Sequence, residues 1–279
     1  MAYNYSVVVP YRDKYDLFVK AIDSIPDRED IQVIIVDNAP EQLPQEKIPV
    51  KQHARVDYTT SSPTQGAGCA RNEGLKHVEG AYVLFLDADD YFTTEAFTAF
   101  DRHLLSHNDI VFFMPTSVRL NDGALSDRHE TYASHLDVYF KTGNTDRLRY
   151  RFEPPWAKMF SADFLKKGGF QFEEKLVGND AWFSLQTGHY AKKIVVDSST
   201  VYVVTEGGEG QSLTKKVSRE NVFSRYKGAI KINGFLKSVG RYNMHIRLIG
   251  FMRIAYRNFG LSELVKYLKY AWVNKANIF

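Results

Sequence analysis

Three clusters in this sequence hold residue types that could do chemistry. Leu84-Phe-Leu-Asp-Ala-Asp-Asp-Tyr91 closes an apolar run with three carboxylates. Carboxylates two residues apart at a strand's end lie together at the sheet edge, where hard oxygen ligands can hold Mg²⁺ or Mn²⁺ along with phosphate oxygens. An acidic turn in which Asp89 or Asp90 caps the next helix accounts for the same residues equally well. Gln65-Gly-Ala-Gly-Cys-Ala-Arg-Asn-Glu-Gly74 sets glycines ahead of a helix. There the backbone can approach a ligand, the helix N-terminus favours an anion, and Arg71 adds a permanent charge; a Gly-rich turn with a solvent-facing arginine is the plainer alternative. Leu176-Val-Gly-Asn-Asp-Ala-Trp-Phe183 puts Asp180 at the start of a helix, as an N-cap or as a general base aimed into a pocket.

The elements around these clusters alternate in periodicity. Tyr5-Ser-Val-Val-Val-Pro10 reads as a strand, and Leu17, Phe18, Ala21, Ile22 and Ile25 recur at helical spacing after it. Ile31 to Val36 is a second strand, ended by the turn cluster Asp37-Asn-Ala-Pro40, and a short strand near Arg55 to Tyr58 follows. A loop from Ser61 to Gly68, a helix from about Cys69 to His77 and an apolar strand from Ala81 to Leu86 come next. Strands apolar on both faces, alternating with helices, imply a parallel sheet covered on both sides, with ligands at the carboxyl ends of its strands. Tyr11, Asp37 and Asp87 to Asp90 close those strands and should share one crevice. Beyond Thr94 the pattern predicts a helix to about Ser106, a strand over Asp109 to Met114, polar connections, a segment Trp156 to Phe160, a helix from Asn179 to Tyr190, and strands at Ile194 to Val196 and Val201 to Val204. Glu206 to Ser212 reads as a flexible loop, in which Gly207 to Ser212, followed by Lys215-Lys216, forms a lid over a bound diphosphate or is simply surface, and the chain from Val217 onward reads as almost wholly helical.

With Val7-Val-Val-Pro-Tyr11 and Val33-Ile-Ile-Val-Asp37 ahead of them, the three clusters resemble, in order and spacing, family 2 glycosyltransferases of the GT-A fold, over roughly residues 5 to 205. The carrying segments are Gly66-Ala-Gly-Cys-Ala-Arg-Asn-Glu-Gly74, Asp87-Ala-Asp-Asp90 and Asn179-Asp180. The resemblance implies an α/β fold whose Rossmann-like, mostly parallel central sheet is flanked by helices. It implies a catalytic domain over 1–217, with a nucleotide-binding half over 1–113 and an acceptor half over 114–217, followed by a helical extension over 218–279. It also implies an inverting, metal-dependent transfer of a sugar from a nucleoside-diphosphate donor, UDP by family frequency, to a glycan or lipid-linked saccharide hydroxyl. By the same resemblance Pro10, Tyr11, Asp37, Gly68, Arg71, Asp87 and Ala88 hold the donor nucleotide, Asp89 holds Mn²⁺ or Mg²⁺, and Asp180 is the catalytic base. Trp156, Asn179 and Trp182 fall in the acceptor or sugar pocket, although Trp156 fits a plain core position as well.

Three departures from the family pattern stand out. Val36-Asp-Asn-Ala-Pro40 replaces the usual Val-Asp-Asp-Gly-Ser, Asn179-Asp180 replaces Glu-Asp, and Val203-Val-Thr-Glu-Gly-Gly-Glu-Gly-Gln-Ser-Leu213 lacks the histidine that completes the metal shell in many relatives. Two rival readings fit parts of the same pattern. A nucleotidyltransferase would place a Gly-rich basic loop directly after the first strand, where this chain has Pro10-Tyr-Arg-Asp-Lys14. A glycan-binding member without turnover would not need Asp87, Asp89 and Asp180.

Composition bounds the rest. The 279 residues are 44% hydrophobic and 25% charged, which excludes disordered and collagen-like classes, and the single Cys69 excludes a disulfide scaffold. No basic stretch leads into an apolar run at the N-terminus and no apolar run is long enough to span a bilayer, so a cytoplasmic protein is expected. Charge is uneven: residues 218–279 carry 12 Lys/Arg against 2 Glu and 11 aromatics, whereas the remainder is net negative. Basic residues interleaved with aromatics at helical spacing suit an anionic membrane surface, or helices packed on the catalytic domain with basic faces solvated. A nucleic-acid partner is not expected, because the acidic part would repel phosphate backbones.

Overall fold

The computed structural model describes residues 3–207 and 217–278; the expected lid, Gly207 to Ser212 followed by Lys215-Lys216, lies outside them except for Gly207. Eight strands form one sheet in the order β3-β2-β1-β4-β7-β6-β8-β5. Its first half is parallel: β1 (Tyr3–Tyr11), β2 (Ile31–Asp37), β3 (Arg55–Thr60) and β4 (Gly80–Phe85) run in one direction. β2 is buried at every residue, which is why its sequence is an unbroken apolar run rather than an alternation. The second half is mixed. β7 (Lys158–Ser161) lies antiparallel between β4 and β6 (Ile110–Arg119), β8 (Ile194–Glu206) runs parallel to β6, and the two-residue β5 (Tyr91–Phe92) pairs antiparallel with β8. The sequence breaks near Met114 and at Asp197 to Thr200 are one feature. Both strands continue through a register shift beside Pro115, whose missing N–H a bulge accommodates.

Helices cover the sheet. α1 (Tyr15–Asp23) buries Phe18, Ala21 and Ile22, as its spacing predicts. α2 (Gly66–Lys76) begins one turn earlier than predicted, so the glycines read as loop belong to the helix. α3 (Ala96–Asp101) is short. Where polar connections are predicted, the chain forms α4 (Glu130–Thr142) and α5 (Asp146–Arg151). α6 (Ala162–Gly168) is capped by Ser161, and α7 (Ala181–Tyr190) starts at Asp180.

The last three helices are not a detached tail. α8 (Arg219–Ser238) packs Ile232 and Leu236 against Tyr150 and Leu185, and therefore against α7. α9 (Ile249–Phe259) and α10 (Leu261–Val273) close a second cluster around Tyr226, Met252, Tyr267 and Ala271. The opposite face of α10 exposes Leu261, Val265, Leu268 and Trp272 at helical spacing, Trp272 to 82%. No helix among the described residues is long and apolar enough to cross a membrane.

Candidate active site

The carboxyl ends of β1, β2 and β4 bring the strand-closing residues together. Tyr11 stands in register with Asp37, and Pro10 with Val36. The buried Tyr11 ring leans on Phe18 at 4.5 Å. Asp37 is spent internally: its carboxylate accepts from the Ala39 and Leu43 amides at 2.8 and 2.7 Å and from the Tyr58 hydroxyl at 2.7 Å. It therefore shapes the wall beside Tyr11. Asn38, which stands where the family has a second aspartate, donates from its side-chain amide to the Ser62 carbonyl and to Ser61 Oγ. A carboxylate could make neither donation.

At the end of β4 the three carboxylates separate into three jobs. Asp90 is buried and accepts from the Thr205 amide at 2.7 Å and the Tyr202 hydroxyl at 2.9 Å, tying β8 to the acidic turn. Burial, then Asp89 and Asp87, hold its pKa well above the usual carboxylate range. Neither Asp89 nor Asp90 caps α3, which begins after Glu95. Asp87 accepts from Arg71 Nη2 at 2.6 Å. Asp89 is half exposed with Lys14 Nζ 3.5 Å away. Partial desolvation and the charge of Asp87 raise its pKa, opposed by Lys14 and Arg128. Ala88 between them packs at the margin of the core.

Arg71 is the hinge of the arrangement. It is only 4% exposed, its Nη1 donates to Asn179 Oδ1 at 3.0 Å, and its plane lies over the Phe172 ring at 5.3 Å. Burial alone would depress its pKa, but Asp87 and Asp180 outweigh that and raise it. Its Nε has no protein acceptor among the described residues. Asn72, one residue on, clamps Phe172 by donating to its carbonyl at 3.0 Å and accepting from its amide at 2.8 Å. The glycines of α2 serve the same contact. A Cβ on Gly66 would lie 2.7 Å from the Lys175 carbonyl oxygen, one on Gly68 would collide with the Glu173 carbonyl, and one on Gly74 would meet Val8 of the sheet. Gly68 thus admits the 173–179 segment of the chain.

That segment delivers Asn179 and Asp180. The Asn179 amide nitrogen donates to the Lys175 carbonyl at 3.2 Å, again a bond that the family's glutamate could not donate. Asp180 opens α7 by accepting from the Ser184 amide with its main-chain carbonyl at 3.0 Å, and its carboxylate makes no capping bond. Among the described residues that carboxylate has no hydrogen-bond or ion-pair partner. Burial raises its pKa against the opposing charge of Arg71.

Trp156 is 7% exposed and stacks on Tyr202 at 5.1 Å and 10°, so it backs the crevice as part of the core. Trp182 lies under α8, with Lys231 Nζ 3.9 Å from its ring centre and Phe235 at its edge.

Two charged groups that the sequence did not single out sit beside Asp180. Glu153 makes no hydrogen bond or ion pair among the described residues, and burial followed by the charge of Asp180 pushes its pKa up to about 7, against Arg151, Arg225 and Lys158. Lys158 is buried, donates to the Phe152 carbonyl at 2.7 Å and Ser184 Oγ at 3.2 Å, and is held well below its usual pKa by burial. Its place two residues after Trp156 was the available signal.

The acidic turn fits a hard divalent cation in part. No cluster of three His, Cys, Asp or Glu ligands exists among the described residues. The accessible Asp89 carboxylate, crowded by Asp87 and faced by the Lys14 ammonium, is nonetheless suited to an ion that takes one or two protein carboxylates and completes its shell with phosphates and water.

A model of Glycosyl transferase family 2 matches residues 6–169. The chain is 25% identical over 232 residues to the Staphylococcus aureus poly(ribitol-phosphate) beta-N-acetylglucosaminyltransferase TarS, covering 78% of this chain and 38% of that protein. It is 26% identical over 238 residues to a poly(ribitol-phosphate) beta-glucosyltransferase of Bacillus spizizenii, covering 81% of this chain and 36% of the other. The chain thus spans little more than a third of the length of these relatives. The crystal structure of S. aureus TarS 1–349 in complex with UDP-GlcNAc superposes with a TM-score of 0.65 at 23% identity, covering 97% of this chain and 73% of that one. The fold is therefore the GT-A fold with helices added at its C-terminal end, and the chain belongs to glycosyl transferase family 2.

Proposed function

We propose that this chain is an inverting glycosyltransferase that moves a sugar from a nucleoside-diphosphate donor to an acceptor hydroxyl. The observation that carries the reading is Asp180: a partly desolvated carboxylate with no partner among the described residues, one residue from the Arg71–Asn179 bond and facing the end of β4. The donor base lies against Tyr11 and Pro10 in the pocket that Asp37 shapes, and Asp87 meets the ribose. Arg71 holds positive charge where the diphosphate leaves, a preorganised electrostatic contribution to the transition state. A divalent cation held by Asp89 would supply further neutralisation of that leaving charge. Asp180 takes the proton of the acceptor hydroxyl as its oxygen forms the new bond to the anomeric carbon, while the bond from that carbon to the diphosphate oxygen breaks on the opposite face. One displacement inverts the centre and releases nucleoside diphosphate.

A UDP-sugar is the donor that the TarS complex supports, and a glycan, a lipid-linked saccharide or a polyol-phosphate polymer is the acceptor class that the resemblance and the relatives support. We place the protein in the cytoplasm, resting on an anionic membrane face through the exposed stripe of α10 and its flanking Arg253, Arg257, Lys269 and Lys275. The deciding experiment is product analysis: free UDP from a UDP-sugar supports transfer, pyrophosphate indicates a nucleotidyltransferase, and neither product indicates a binding protein.

A further inference from the structure

Lys158 opens β7 with its side chain in the interior, 3% exposed and without an ion pair among the described residues. Its Nζ lies 4.7 Å from the centre of the Phe152 ring and 5.3 Å from that of Phe112. Among the described residues it donates to two atoms, the Phe152 carbonyl oxygen at 2.7 Å and Ser184 Oγ at 3.2 Å. Ala157, just before it, takes a left-handed φ of 52°, a conformation that residues with a side chain adopt rarely and that collects at functional sites. Burying an ammonium among rings is costly, and a methionine would fill the same slot without that cost. Packing therefore does not account for the lysine.

The two acceptors identify what the side chain joins. Phe152 precedes Glu153, and Ser184 lies one turn into α7, its amide donating to the Asp180 carbonyl at 3.0 Å. One side chain from β7 thus braces the segment that carries Glu153 against the helical turn that carries Asp180. The charged groups facing Asp180 are Arg71 from α2, Asp87 from the end of β4, Lys158 from β7 and, when ionised, Glu153; Arg151 from α5 and Arg225 from α8 face Glu153 as well. Burial lowers the pKa of Lys158 and raises that of Asp180, and the charge of each group works against the effect of burial on the other. Arg71 is already bound to Asp87 and Asn179. Lys158 is the cation beside Asp180 that no other carboxylate holds.

We propose that Lys158 is a positioning residue for the base: through Ser184 and the Phe152 carbonyl it fixes the turn that presents Asp180, and its ammonium supplies the positive charge that lets a buried carboxylate stand ready to accept a proton. The inference rests on the glycosyl-transfer reading, in which Asp180 is the base, and adds the group that prepares it.

The test uses the full chain as wild type, as Lys158→Gln, which keeps a donor and loses the charge, and as Lys158→Met, which loses both. The Asp180 carboxyl carbon, identified as the resonance that Asp180→Asn removes from aspartate-labelled protein, is titrated by carbon NMR. UDP affinity by calorimetry and UDP release from a UDP-sugar across pH are measured beside it. In both variants the Asp180 midpoint should rise by about one pH unit, a tenfold change in proton affinity, because a neighbouring cation is gone. UDP affinity should stay within about twofold, while kcat falls about tenfold in Lys158→Gln and further in Lys158→Met, with the acidic limb of kcat/KM displaced as far as the NMR midpoint. An Asp180 midpoint unmoved in Lys158→Gln would reduce Lys158 to a structural brace and overturn the proposal, as would a moved midpoint with wild-type kcat. Lys158→Gln decides this by itself where Lys158→Met does not fold. A wild type that releases no UDP would fail the transferase reading on its own, because the Asp180 midpoints still test Lys158.

Discussion

Arg71 Nη1 donates to Asn179 Oδ1 at 3.0 Å across 108 residues of sequence, while Arg71 Nη2 holds Asp87 at 2.6 Å. One buried guanidinium thus joins the acidic end of β4 to the residue before Asp180. The proposed donor and acceptor sides thus share one cation.

The first prediction separates those two sides. Asp180→Asn should lower turnover by about 10²- to 10⁴-fold, the range for loss of a general base, while UDP affinity stays within about twofold. Asp89→Ala should instead remove the Mn²⁺-dependent part of UDP binding. Thermal shift with UDP, with and without Mn²⁺, reads binding, and UDP release reads turnover. Equal loss of nucleotide binding in both variants, with turnover retained in Asp180→Asn, would reverse the assignments.

Asn179→Asp tests why an amide stands beside the base. The change removes the donation to the Lys175 carbonyl and adds a negative charge near Asp180. An unsatisfied buried group costs about 1–3 kcal/mol, so denaturant unfolding should show a loss in that range. The added charge disfavours ionised Asp180, so the acidic limb of kcat/KM against pH should move to higher pH.

Glu153 makes stability depend on pH. Its carboxyl titrates at about 7 in the folded chain against an ordinary value of 4.5. Between those values the folded state holds a proton that the unfolded state has released, so Glu153 lowers stability as pH rises through that window and has no further effect above it. Glu153→Gln should flatten this decline, measured as the difference between wild-type and variant denaturation midpoints from pH 4.5 to 8. A parallel pair of curves would show that Glu153 is not held protonated.

Gly68→Ala should destabilise by about 1–3 kcal/mol, the usual cost of forcing an extra methyl into a packed site. The methyl would meet the Glu173 carbonyl, and the 173–179 segment must shift to admit it. Turnover should fall more than UDP affinity, because Asn179 and Asp180 ride on that segment. A variant with wild-type stability would mean that the contact is looser than its geometry.

For the C-terminal helices, co-sedimentation with vesicles should rise with phosphatidylglycerol content and fall at high salt, which screens such attraction. Each basic residue near the surface contributes about 1 kcal/mol, so Lys269→Glu should weaken binding several-fold, and Trp272→Ser should weaken it at every salt concentration. Equal, negligible binding to neutral and anionic vesicles would leave α8 to α10 as packing elements only.

Much of the donor half was legible in the sequence. Apolar runs as long as Ile31 to Val36 are buried on both faces and end where the sheet ends, so their closing residues meet whatever else the chain does. The α2 boundary was not legible, because Gly66 and Gly68 look like loop residues until the Lys175 and Glu173 carbonyls are seen against them. α4 and α5 were missed because their outer faces are polar and their buried residues, such as Leu136 and Leu148, are few. The asparagines at 38 and 179 read as lost acids, yet each donates to a main-chain carbonyl of a neighbouring segment. Glu153 carries no local pattern. Its proximity to Asp180 comes from strand order, in which β7 enters between β4 and β6.

The close approach at Gly66 and Gly68 bears on how this scaffold could be re-engineered. The 173–179 segment is seated by main chain against main chain, with the Asn72 clamp on Phe172 as its anchor. The Glu174 side chain joins that clamp by accepting from Asn72 Nδ2 at 3.2 Å, whereas the Leu176 side chain is exposed. Position 176 is therefore variable surface beside a fixed Asp180, so a library there can vary the crevice next to the proposed base while Asp180 stays where it is.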